Sequence, residues 1–173
     1  MKKILFALCF LLSTVFYGQT IEKLDERGGF RDFKIGDTYQ KWSSQLEYRS
    51  DLNKVKTFTY KGECCRTLYG SELESIVLGF IDNKLAMITL LSRNMPDNGE
   101  PIVTNPGRFS YKFIEDFGKD FAFSQNESEG EMQLVWKGKK ITLTSMFKFL
   151  GTYKGELFMI VITDAKTNNH DGL

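Results

Sequence analysis

Apolar residues recur along this chain at two different periods, and the order in which the periods alternate constrains what it can build. Residues 55–61 alternate, with Phe58 and Tyr60 on one side and Thr57 and Thr59 on the other, the pattern of a strand with one wet face. Residues 75–81 and 84–91 are two further apolar runs, joined by Asp82-Asn83, a dipeptide suited to a tight hairpin turn. Ahead of them, Gly36-Asp37-Thr38-Tyr39-Gln40 reads as a helix start in which Asp37 caps and Gln40 reaches back to complete a capping box. Tyr39, Trp42 and Leu46 then share one helical face, which predicts a helix ending near Arg49 and a polar turn over residues 50–53. One helix is followed by three strands.

The second half repeats the plan. Asn105 and Pro106 supply an N-cap and a first-turn proline, Phe109, Phe113 and Phe117 recur every four residues, and Gly118 is a C-terminal stop. Residues 132–137 alternate, and residues 140–149 place Ile141, Leu143, Phe147 and Phe149 opposite Thr142, Thr144 and Lys148. Residues 156–163 are apolar on both sides, as expected of an interior strand. Phe58 to Gly62 overlies Leu134 to Gly138 at a spacing of 76, and Leu85 to Ile88 overlies Leu157 to Ile160 at 72. The expected fold class is therefore α+β: two tandem helix-then-three-strand units, about residues 30–92 and 105–164, sharing one antiparallel sheet with both helices on one face. Residues 93–104, with Pro96, Asp97-Asn98-Gly99 and Pro101, read as the linker.

Two consecutive helix-plus-antiparallel-strand units of this length resemble the β-lactamase-inhibitor-protein-like group. The resemblance implies one concave sheet built by tandem units. The chain departs from the inhibitor in lacking disulfides within its units, and the resemblance transfers no functional residue.

The address of the chain is written in its first residues. Lys2 and Lys3, the apolar run of residues 4–16 and the small Gly18 read as a secretory signal peptide over residues 1–18, leaving residues 19–173 as a single secreted or periplasmic domain. A spanning anchor needs about 20 apolar residues, and Ser13, Thr14 and Tyr17 interrupt this run. Cys9 lies inside the run rather than after it, so lipid attachment is not expected there. No second stretch has membrane length, so no stable membrane insertion is expected once the signal is removed. Removal takes the formal charge from +1 to −1, a balance that argues against a nucleic-acid partner. Fifteen Phe residues argue for a packed globule rather than disorder.

The mature chain keeps only Cys64 and Cys65. Adjacent Cα atoms lie about 3.8 Å apart, below the usual disulfide span, and an extended backbone would turn the two thiols to opposite faces. Free thiols, a strained vicinal disulfide and an intermolecular bond all remain open.

Catalytic sets are sparse. His170, the sole histidine, lies in the polar tail, where a triad would draw its base from the least ordered part of the chain. One histidine and one adjacent cysteine pair do not make a tetrahedral zinc set, so no metal and no cofactor is expected. Ser145 and Lys148 match the spacing of penicillin-interacting serine enzymes, but the alternation places them on opposite faces of a strand. Glu127, Glu129 and Glu131, and likewise Asp97, Asn98 and Glu100, read as solvated turns rather than calcium loops. Tyr60 and Trp136 occupy matching places in the two halves and are the candidate interaction residues if they face away from the helices, or core if they face them. The expected function is a non-enzymatic protein-binding module, with an inhibitor or an envelope-complex accessory subunit as its candidate roles and another protein as its partner. The alternatives are a small carboxylate-dependent hydrolase and a small-ligand or lipid carrier.

Overall fold

The computed structural model describes residues 22–95, 105 and 107–166. The proposed signal, His170 and the Asp97, Asn98, Glu100 cluster lie outside them. Strands hold 54% of the described residues against 18% in helices, so the chain is mostly β and the α+β expectation of tandem helix units is overturned.

A short helix α1 (Glu22–Arg27) leads into a small hairpin, β1 (Gly29–Phe30) and β2 (Phe33–Lys34). Next come α2 (Tyr39–Trp42), a 3-10 turn (Ser43–Gln45), β3 (Leu46–Leu52) and β4 (Val55–Tyr60). A second small hairpin, β5 (Thr67–Leu68) with β6 (Ser71–Glu72), precedes β7 (Ser75–Ile81) and β8 (Lys84–Asn94). The rest is α3 (Ser110–Phe117), β9 (Ala122–Asn126), a 3-10 turn (Glu127–Glu129), β10 (Glu131–Lys137), β11 (Ile141–Gly151) and β12 (Gly155–Asp164). Eight strands form one antiparallel sheet in the order β3-β4-β7-β8-β12-β11-β10-β9, so β8 and β12 meet at its centre.

The helix expected to run to Arg49 is only the four residues of α2. From Leu46 the chain is extended and pairs with β4, Leu46 opposite Tyr60. Asp37 does not cap: its carboxylate accepts from the Lys34 N–H, the Lys41 Nζ and the Trp42 Nε1 instead. β9 was not foreseen because all five of its residues are exposed and no alternation marks it. Elsewhere local chemistry decides. Asp82 and Asn83 both take positive φ, 48° and 61°, closing the β7–β8 hairpin with Ile81 opposite Lys84. Gly118, at φ 81°, ends α3 and returns its N–H to the Ile114 carbonyl.

Register assigns the faces. Phe58, Leu78, Ile88, Ile162, Leu143 and Trp136 form one continuous cross-strand row. Against this face pack Leu24 of α1, Trp42 of α2, Phe113 and Phe117 of α3, and Phe33. Each such large side chain removed from water contributes about 1.5–3 kcal/mol. The next row, Thr59, Val77, Thr89, Val161, Thr144 and Val135, faces the other way.

Candidate interaction face and neighbouring sites

Tyr60 and Trp136 sit on the second strand from either end of the sheet, and both face the helices. Trp136 is fully buried; its indole N–H donates to the Gly118 carbonyl at 3.0 Å, and its ring lies 5.2 Å from Phe121 and 5.9 Å from Phe113. Tyr60 is 1% exposed, edge-on to Phe33 at 4.9 Å, and its hydroxyl donates to Gln45 Oε1 at 2.8 Å. Burial and the adjacent Cys64 sulfur push its phenol well above the ordinary range. Both aromatics are core; neither is offered to a partner.

The opposite face carries a different surface. On the four central strands, Leu91, Met159 and Met146 stand in one cross-strand row, and Val77 and Val161 in the next. Leu91, Met146, Met159 and Val161 are half-buried and lie outside the core cluster, and no described helix packs on them. At one end of this face, charges are tied to one another: Lys148 Nζ to Glu131 Oε1 at 2.6 Å and to Glu129 Oε2 at 3.3 Å, and Arg93 Nε to Glu74 Oε2 at 3.4 Å. The hydrogen bonds it donates to Glu131 and Glu129 raise the Lys148 ammonium above its usual pKa. Both carboxylates therefore face the Lys148 ammonium. Ser145, buried in the core-facing row, and Lys148, on the helix-free face, do not meet.

The sequence did carry a signal for this surface. Met146 falls on the side of Thr142, Thr144 and Lys148, an apolar residue on a nominally wet face, and β12 is apolar on both sides.

Beneath the helices, α1, the two small hairpins and α3 line a half-open cavity of about 360 Å³. Leu24, Phe113, Phe117 and Ile162 are among its apolar lining, and Arg27, Arg31 and Lys34 stand in its wall. Beside it, Asp116 Oδ2 accepts from the Tyr69 hydroxyl at 2.6 Å and from Arg27 Nη1 at 2.9 Å. Burial opposes the Asp116 charge, but these donors outweigh it and hold the carboxyl below the ordinary range. The same burial and the Asp116 charge drive the Tyr69 phenol up. Among the described residues the lining holds no carboxylate, so they do not build a two-acid hydrolytic arrangement there.

Cys64 and Cys65 lie in the turn after β4, both half-buried and free. Among the described residues, they and Asp32 place three donor atoms within 4.8 Å of one another, one short of a four-coordinate structural zinc set. Compared with known proteins, the chain matches no family model, no curated protein and no solved structure.

Proposed function

We propose that this chain is a non-enzymatic protein-binding module, acting outside the cytoplasm, that presents the helix-free face of its sheet to another protein. The observation that supports it is the Leu91–Met159–Met146 row, apolar and half-buried at the centre of an eight-stranded sheet, with no described helix over it. An apolar centre within a polar rim is the usual anatomy of a protein interface, and methionines adapt to an irregular partner. The internal pairing of Lys148 and Arg93 favours an apolar protein surface as the occupant over a polyanion such as nucleic acid. No described helix is long and apolar enough to cross a membrane.

The test places a photo-crosslinking residue at Met146 or Met159, with exposed Tyr111 on α3 as the control position. One discrete adduct with a different protein, formed from 146 and 159 but not from 111 and abolished by Leu91→Lys, is the expected result. An adduct with a second copy of this chain, or none dependent on the face, overturns the reading.

The cavity favours a second reading, carriage of a small amphiphile with an apolar body and an acidic head. Its volume lies at the low end for ligand sites, and its wall pairs an apolar lining with three cations. A fluorescent fatty acid bound by wild type and not by a folded Phe113→Trp variant, whose larger ring is placed in the lining to occlude the site, is the expected outcome. Equal binding by both removes this reading.

A further inference from the structure

The turn at residues 61–66 reverses the expectation for its cysteines. An extended backbone would separate the two thiols, but Cys65 takes the left-handed conformation at φ 67°, which turns both side chains to one side. Their sulfurs then stand 2.8 Å apart, with the Tyr60 hydroxyl 3.1 Å from Cys64 Sγ and Asp32 Oδ2 3.8 Å from Cys65 Sγ. A non-glycine residue in this region is strained, so the surroundings must hold it there. They do so visibly. Arg66 Nε donates to the Gly62 carbonyl at 3.0 Å and its Nη2 reaches the Tyr60 carbonyl at 3.4 Å, clasping the turn across its mouth. Gly62 has no room for a Cβ, which would strike the Tyr60 hydroxyl and Gln45.

We propose that Cys64 and Cys65 are a reversible modification site that closes to a vicinal disulfide within the turn. The oxidant is an external low-molecular-weight or protein disulfide. One cysteine thiolate attacks it, forming a mixed disulfide and releasing one thiol; the neighbouring thiolate then displaces the second thiol. The two cysteines lose two protons and two electrons, the external disulfide gains them as two thiols, and one sulfur–sulfur bond replaces another. Adjacent Cα atoms at about 3.8 Å fall short of the span an unstrained bridge prefers, so the bond is an easily reduced one rather than a permanent staple. Burial and the hydrogen bond to Cys64 push the Cys65 thiol up to about 11, so closure through its thiolate quickens as pH rises toward that value.

Trypsin provides the readout, because cleavage after Lys61 and Arg66 releases both cysteines on one five-residue peptide. The folded protein is equilibrated in glutathione buffers of increasing disulfide content, quenched with an alkylating agent, digested and weighed. The expected product is the peptide lighter by two hydrogens and unalkylated, from a protein that stays monomeric on a non-reducing gel, with full reversal by excess thiol. In Arg66→Ala, where the next tryptic site is Lys84 and the pair is read on the peptide of residues 62–84, the glutathione ratio for half-closure should move at least about threefold toward the oxidised side, because the clasp is lost. Two alkyl groups across the whole series, stable glutathione adducts on both cysteines, or a disulfide-linked dimer each overturn the proposal. Unchanged closure in a folded Arg66→Ala protein overturns the role given to the turn.

Discussion

Asp25 accepts three backbone hydrogen bonds, from the N–H groups of Lys139, Lys140 and Ile141, at 2.7, 2.8 and 3.0 Å, and so ties α1 to the β10–β11 turn. Burial works against its charge, but those donors prevail and the carboxyl titrates below its ordinary range. Because the folded value is depressed, the stabilisation is present above the unfolded pKa of about 3.9 and is lost as pH falls through the folded one. Asp25→Asn should therefore lower stability by about 1–3 kcal/mol at neutral pH in a denaturant titration, and the deficit should shrink in acid. Trp136→Phe should lose about 1–3 kcal/mol, since it removes both ring volume and the donor to the Gly118 carbonyl. Tyr60→Phe, which leaves Gln45 to find another partner, should lose about 1 kcal/mol in the same assay. Tyr60 and Trp136 lie on strands, as their alternation suggested, but alternation has no sign: it separates two faces without saying which is covered. Asp25 was not legible at all, because its donors lie more than a hundred residues away.

At the scale of elements, strands announced themselves where burial differed between their faces. β4, β7, β8, β10, β11 and β12 all begin within a residue or two of where their apolar patterns begin. The two edge strands did not. β3, with no buried residue, was absorbed into a helix because Trp42 and Leu46 fall four apart, and β9, exposed throughout, left no trace. An edge strand is held by its backbone ladder on one side, and a ladder has no side-chain signature. The two edges differ in protection: β3 carries Glu47, Arg49 and Asp51 and a register shift between Tyr48 and Ser50, whereas β9 is uncharged and exposes Phe123. Hydrogen exchange should find the β9 amides the fastest of the eight strands, and those of β8 and β12 the slowest. Ser124→Lys on β9 should change stability by less than about 0.5 kcal/mol yet reduce light scattering on prolonged incubation. Protection in β9 equal to that in β8 would show that this edge is covered.

At the scale of the whole molecule, the first-half strands β3, β4, β7 and β8 and the second-half strands β9 to β12 join at one seam, where β8 and β12 pair from Asn94–Glu156 to Met87–Thr163. One buried cluster runs from Trp42 in the first half to Trp136 in the second. Such continuity predicts a single cooperative unfolding transition. Trp42→Phe and Trp136→Phe each leave one tryptophan to report on one half, so within either variant the fluorescence and far-ultraviolet dichroism midpoints should coincide. A separation between them would mean that the halves unfold independently. By itself the sequence determined the strand-rich alternation, the Asp82–Asn83 turn, the Gly118 stop and the apolar character of β12, because each follows from backbone preference or burial read within a few residues. Tertiary structure alone decided that the chain is mostly β, that Tyr60 and Trp136 are core, that no helix among the described residues covers a methionine-bearing face, and that two adjacent thiols share one side of a turn. Those outcomes depend on which face the helices cover and which distant backbone groups close the turns, and such pairings leave no local record in the chain.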